Sequence, residues 1–203
     1  MLLTIQTLFP QVPHFVEINL NEWLRTHCAK RPVGAPAYQH EIDRMQSELG
    51  AASFGGWMEQ REWMWSGSYM EAEKNFTHLG IDVYLHKGTP VQLPFPVRVV
   101  DTFYKKDDEV GWGGRIAVQR DATHPAIVLG HLETNLPKVG TVLPANEVIG
   151  RLATWPVNGN VFEHLHIQLV RAALVPTLDW QELDGYGFPS QALDFPHPFR
   201  TEV

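Results

Sequence analysis

The sequence predicts a mainly β fold: a twisted antiparallel sheet with a groove, preceded by a helical, aromatic-rich N-terminal extension. Three observations predict it. There are 16 Gly and 15 Pro among 203 residues, enough turn formers to favour short strands over long helices. From residue 78 onward, β-branched runs alternate with turn residues, the pattern of a strand meander. Before residue 72 the apolar spacing is helical, and three of the seven tryptophans fall in one stretch.

Taken in order, Phe15-Val-Glu-Ile-Asn-Leu20 reads as a strand or as the lead into a helix around residues 21–29. Residues 37–49 read as a helix, because Ile42, Met45 and Leu49 fall at helical spacing and Gly50 supplies a stop. The stretch that holds Trp57, Trp63 and Trp65 and ends near Tyr69 reads as core packing. Residues 80–85, 96–104, 114–119, 126–130, 147–150 and 161–170 read as strands. Lys87-Gly88, Asp107-Asp108, residues 111–114 and His124-Pro125 supply turns between them. Pro176, Pro189, Pro196 and Pro198 break any pattern after residue 171, so the last segment reads as a tail wrapped on the domain. The expected organisation is an N-terminal extension over 1–72, a strand domain over 73–171 and a wrapping tail over 172–203.

Composition excludes several classes. Lys and Arg number 16 against 23 Asp and Glu, a net charge of −7. That is the wrong sign for nucleic acid, whose binding needs a basic face to release counterions. The one cysteine, Cys28, rules out a disulfide framework within the chain. No run approaches the roughly eighteen apolar residues of a membrane span. The apolar residues 1–9 lack a basic start and are followed by Pro10 and Pro13, unlike a secretory signal. The expected location is the cytoplasm.

Ten histidines are many for this length, and histidine is the commonest metal ligand. Two patterns stand out: His78-Leu-Gly-Ile-Asp82 and His164-Leu-His166. Side chains alternate faces along a strand, so these even spacings place His78 with Asp82 and His164 with His166. Leu79, Ile81 and Leu165 would then point into the core and anchor the strands, as a rigid metal site requires. Chance alone supplies roughly half an H-x-H in such a chain. Spacing therefore leaves two readings open, a metal site or two histidines on a solvated strand with a turn-forming Asp. His131 is a fifth candidate, with Gly130 beside it leaving room for close approach. Glu133 and Gln168 are candidate partners for an imidazole, and Tyr69 and Tyr84 candidate hydroxyl donors. His14, His27, His40, His86, His124 and His197 lack partners at ligand spacing.

His78 and Asp82, then Gly88-Thr-Pro-Val91, Gly130-His-Leu132, Val148-Ile-Gly150 and His164-Leu-His166, in this order, resemble the lysostaphin-like (LytM-type, β-lytic) zinc metallopeptidases of the M23 family. The resemblance covers about residues 75–171. It implies a sheet of the duplicated-hybrid-motif type whose groove holds one Zn²⁺ through His78, Asp82 and His166. It also implies that His131 and His164 are catalytic histidines that do not bind the metal. The implied activity is hydrolysis of peptide bonds in peptidoglycan-type or Gly-containing peptides, with a peptide or muropeptide as substrate. Two imidazoles and one carboxylate leave a fourth position open, which marks a catalytic site. One of His131 and His164 would move the proton and the other would stabilise the oxyanion, in an order left open. The chain has no H-E-x-x-H, which excludes the arrangement with a Glu base on a helix.

Two rivals remain at this stage. One is a non-catalytic peptide- or peptidoglycan-binding module of the same fold. The other is a non-haem iron enzyme, disfavoured because residues 167–171 lack the Glu that follows H-x-H in cupins. The extension is expected to pack on the domain and wall one side of the cleft, since Trp57, Trp63 and Trp65 must bury area somewhere.

Overall fold

The computed structural model describes residues 3–105 and 111–203, and only the backbone of Tyr69. The turn expected at Asp107-Asp108 lies outside the described residues. The elements begin with α1 (Ile5–Leu8), β1 (Phe15–Glu17), α2 (Leu20–His27), α3 (Ala35–Leu49), β2 (Ala52–Gly55) and α4 (Glu62–Trp65). The strands β3 (Thr77–His78), β4 (Ile81–Tyr84), β5 (Pro90–Gln92), β6 (Val97–Phe103), β7 (Gly114–Gln119) and β8 (Ala126–Leu132) follow. The chain continues through β9 (Val142–Leu143), β10 (Val148–Arg151), β11 (Leu165–Val170) and β12 (Tyr186–Gly187).

Eight strands form one sheet in the order β1-β2-β4-β11-β8-β7-β6-β9. The fold is mainly β, and the sheet is mixed: β1 and β2 run parallel, and the other ladders are antiparallel. The N-terminal segment is therefore not helical alone, because β1 and β2 extend the sheet beyond β4. These strands have three and four residues, too few to carry a periodicity of their own. Long-range packing sustains them: Phe15 and Phe54 meet edge to face and pack on the main core.

Strands β4, β7, β8 and β11 are buried along their whole length. One face of the sheet carries the main core, where Ile81, Val83, Ile127, Leu129, Leu165 and Ile167 meet Leu3, Leu8 and Phe9 from the N-terminus. A second cluster joins α2 and α3 to the strands, with Leu20, Leu24, Ile42, Met45 and Met64 against Tyr84 and Phe162. Helix α3 ends where Gly50 takes a left-handed conformation at φ 62°, the geometry glycine supplies at least cost. Val203, the last residue, is buried in the main core.

Two local expectations change. His78 and Asp82 do not share one strand; they lie on β3 and β4, with a break at Leu79-Gly80. Leu79 and Ile81 accordingly enter different clusters. A Cβ at Gly80 would stand 2.5 Å from His166 Nε2 and 2.6 Å from the Ile167 carbonyl oxygen, so the break forms where only glycine fits. The last long strand starts at Leu165 rather than at residue 161, leaving His164 just before it.

Candidate metal centre

The central ladders bring the site together. His166 on β11 stands opposite Asp82 on β4 and opposite Gly130 on β8. His78 arrives from β3, which pairs with β12 so that His78 faces Tyr186. His164 precedes β11 and His131 lies near the end of β8. All five are buried. His131 has φ 65°, a strained conformation for a residue with a side chain, of the kind that clusters at functional sites.

Three donor atoms converge. His78 Nε2 lies 3.0 Å from His166 Nδ1 and 3.3 Å from Asp82 Oδ1. His166 Nδ1 lies 3.1 Å from the same carboxylate oxygen. The far nitrogens fix the tautomers. His78 Nδ1 donates to the Gly56 carbonyl at 3.0 Å, and His166 Nε2 donates to Gln168 Oε1 at 3.0 Å. Gln168 is held in that orientation because its amide nitrogen donates to the Asp184 carbonyl at 3.3 Å. Both imidazoles thus turn an unprotonated nitrogen toward the carboxylate, and three lone pairs face one another with no hydrogen between them. A bound cation would resolve that arrangement. Tetrahedral ligands about 2.0–2.1 Å from zinc stand about 3.3–3.4 Å apart, close to the separations here. His78, Asp82 and His166 form a group able to hold a metal ion, and its donors suit one.

Electrostatics favour the ligand forms. Burial, then the charge of Arg61, lowers the pKa of His78 to about 3, so its imidazole is neutral at pH 7. Burial alone would raise the pKa of Asp82, but His78, His164 and Arg61 outweigh it and hold the carboxyl well below its usual range. Arg61, 1% exposed, donates from Nη1 to Asp82 Oδ2 at 2.6 Å and from Nε to Glu59 Oε2 at 2.9 Å.

The remaining two histidines are oriented alike. His131 Nδ1 donates to the Asn158 carbonyl and His164 Nδ1 to the Phe162 carbonyl, each at 2.8 Å. That leaves Nε2 as the second ring nitrogen of each, and that of His164 lies 3.4 Å from Asp82 Oδ1. The two rings stand 4.2 Å apart between centroids. Burial, then His164 and His166, pushes the pKa of His131 well down.

These groups line a cavity of about 340 Å³. Arg61, Trp65 and Met70 from the N-terminal segment line it together with residues 181–186 from the tail. The tail wall is pinned from the sheet side. Trp112 Nε1 donates to the Leu183 carbonyl at 2.8 Å, and the buried Arg115 donates to the Leu183 and Trp180 carbonyls.

Of the secondary candidates, Gln168 orients His166. Glu133 is exposed and does not line the cavity. Tyr84 packs in the second cluster with Phe162, and the side chain of Tyr69 lies outside the described residues. His14, His27, His40, His86, His124 and His197 are absent from the cavity walls. Sequence reasoning assigned no role at the site to Arg61 or Tyr186, and placed Trp65 only within a segment expected to wall the cleft. The hydroxyl of Tyr186 accepts from Arg61 Nη1 at 3.0 Å and from Trp65 Nε1 at 2.8 Å.

The class that fold and site define is a mainly β protein with a buried His–Asp–His cluster at a cavity, and in this it resembles the lysostaphin-like M23 peptidases, as its ordered motifs do. No family model matches the sequence, and no curated protein does. Solved structures similar to the chain include LytU, at 22% identity over 63% of this chain and 81% of that one, with a TM-score of 0.40. The catalytic domain of the antimicrobial peptidase lysostaphin from Staphylococcus simulans is similar at 25% identity over 47% and 68%, with a TM-score of 0.38. The prophage-encoded M23 protein EnpA of Enterococcus faecalis is similar at 21% identity over the same shares, with a TM-score of 0.38.

Proposed function

We propose that the protein is a zinc-dependent peptidase acting on short peptides of the peptidoglycan or Gly-containing type within the cytoplasm. One observation carries this reading. Donor atoms of His78, Asp82 and His166 converge beside two more imidazoles, those of His131 and His164, that line the same cavity. His78, Asp82 and His166 would hold one Zn²⁺, which when bound would supply Lewis acidity toward a scissile carbonyl and toward water near neutral pH.

The rest is supplied by the chain. His131 and His164 are fixed by backbone carbonyls, so a neutral imidazole at either place can accept on Nε2 the proton released on attack and return it to the leaving amine. Tyr186 has both oxygen lone pairs taken by Arg61 and Trp65. Its own O–H is left to donate to the substrate oxygen, and burial keeps that proton on by raising the phenol pKa to about 12. The two flanking segments line the cavity and narrow its approach, which suits chain ends of short peptides better than cross-linked polymer. A cytoplasmic enzyme of recycled fragments fits this.

The test is elemental analysis of the purified protein, followed by mass spectrometry of muropeptide fragments and a Gly-rich peptide library incubated with the zinc-loaded form. The expected result is about one zinc per chain and new amino ends on short peptides. Peptides bound but recovered intact would make the protein a binding module. Iron as the native ion would move the site to the two-His, one-carboxylate oxygenases.

A further inference from the structure

We infer that Arg61 is a positioning residue that holds Asp82 to one-oxygen donation and so keeps the fourth position of the metal open. The inference rests on the metal reading above. The Asp82 carboxylate is divided: Oδ1 faces His78, His166 and His164, and Oδ2 lies 2.6 Å from Arg61 Nη1. A carboxylate free at both oxygens can turn both onto one ion. With Oδ2 held in a charge-assisted hydrogen bond, only Oδ1 is available.

Arg61 is itself over-determined. Glu59 takes its Nε, Tyr186 shares its Nη1, and its backbone N–H donates to the Phe76 carbonyl at 3.0 Å. Glu59 in turn accepts from the Asn21 N–H at the start of α2, at 2.6 Å. A Cβ on Gly56 would stand 2.5 Å from Arg61 Nη2 and 2.7 Å from His78 Nδ1. The chain gives up a side chain there and lets the guanidinium and the imidazole approach one backbone. A continuous line of contacts thus runs from α2 through Glu59 and Arg61 to the carboxylate. Arginine suits this place because its planar fork addresses several acceptors at once, which a lysine ammonium on a flexible stem does not.

The test uses Co²⁺ as the probe in the full-length protein, with zinc affinity measured by chelator competition. Four-coordinate cobalt absorbs visible light far more strongly than five- or six-coordinate cobalt. Wild type should give the intense spectrum. Arg61→Gln frees the second oxygen, so its absorption should fall severalfold while zinc affinity is held or raised, because a neighbouring cation has gone. A merely structural role predicts the opposite, lower affinity with an unchanged spectrum per bound ion. Arg61→Lys keeps the charge without the fork and serves if Arg61→Gln does not fold; its absorption should fall partway. Wild-type intensity in whichever variants fold, or a loss of affinity with no spectral change, overturns the inference. A wild-type protein that takes up no cobalt and no zinc overturns the metal reading instead.

Discussion

The indole of Trp57 donates its N–H to the carbonyl of Phe195, 3.0 Å away, tying the N-terminal segment to the tail. Trp57 also packs on the main core and against the ring of His197. Both segments line the cavity, so this contact links them beside Gly56 and Met58, which hydrogen-bond to His78. Trp57→Ala removes a half-buried indole and leaves a carbonyl without its donor. It should cost about 2–4 kcal/mol, toward the lower side of the range for such truncations. In a chain of this size that lowers the melting temperature by about 4–15 °C. A thermal melt at fixed zinc checks it; an unchanged melt would mean the segments are held by other contacts.

Metal and stability should be linked through the His78–Asp82–His166 cluster. An ion that binds only the folded state adds about 2.7 kcal/mol at a free concentration one hundred times its Kd. A chelator should therefore lower the melting temperature of the wild type. His166→Ala should lose most of its zinc on dialysis and melt at one temperature with or without chelator. Full zinc occupancy in that variant would show that the donor set is another one.

His131→Ala and His164→Ala should behave differently. Neither removes one of the three converging atoms, so both should keep zinc. Each loses a positioned proton acceptor, and hydrolysis should fall by about 10²–10⁴. Loss of zinc in step with loss of activity would instead make the residue a ligand.

Gly80→Ala is a test that touches no donor. Its Cβ would meet His166 Nε2 at 2.5 Å, the nitrogen that Gln168 holds. The imidazole must turn, and zinc affinity should drop by tenfold or more, in line with the about 10–100-fold typical of lost orienting partners. Competition with a chromophoric chelator measures this, and wild-type affinity would place the strain elsewhere.

Much of this arrangement can be read from short-range patterns. His78 with Asp82, and His164 with His166, are local pairs. The apolar residues between them, Leu79, Ile81 and Leu165, are buried, although the break at Gly80 sends Leu79 and Ile81 into different clusters. The long strands β6, β7, β8 and β11 carry enough β-branched residues to be legible one by one. Arg61 and Tyr186 are not legible, because their partners are remote: Arg61 meets Asp82 across 21 positions, and Tyr186 meets Arg61 across 125. No periodicity encodes such contacts. Strand β2 escapes for the same reason, and β1 is legible only as one of two readings of residues 15–20, since their stability comes from neighbours rather than from their own three or four residues. Glu133 shows the converse error. Proximity in sequence to His131 suggested a partner, but the chain turns it outward.

Tyr186 allows the sharpest separation of roles. Its hydroxyl accepts two hydrogen bonds and keeps one proton, and its ring stands 5.2 Å from that of His78 between centroids. Tyr186→Phe keeps the ring, the packing and all three converging atoms. The loss is confined to the oxygen, which leaves Arg61 Nη1 with Asp82 and Trp65 Nε1 without its acceptor. Zinc content should stay at the wild-type level, and stability should fall by about 1–3 kcal/mol for the orphaned donor. If the O–H meets the substrate oxygen as charge develops, the interaction is stronger in the transition state than in the bound peptide. The loss should then appear in kcat, by about 10²–10³, with KM little changed. Steady-state kinetics on a cleaved peptide separates the two constants. A rise in KM at constant kcat would make Tyr186 a binding residue, and no change in either would leave it as the anchor of the tail wall.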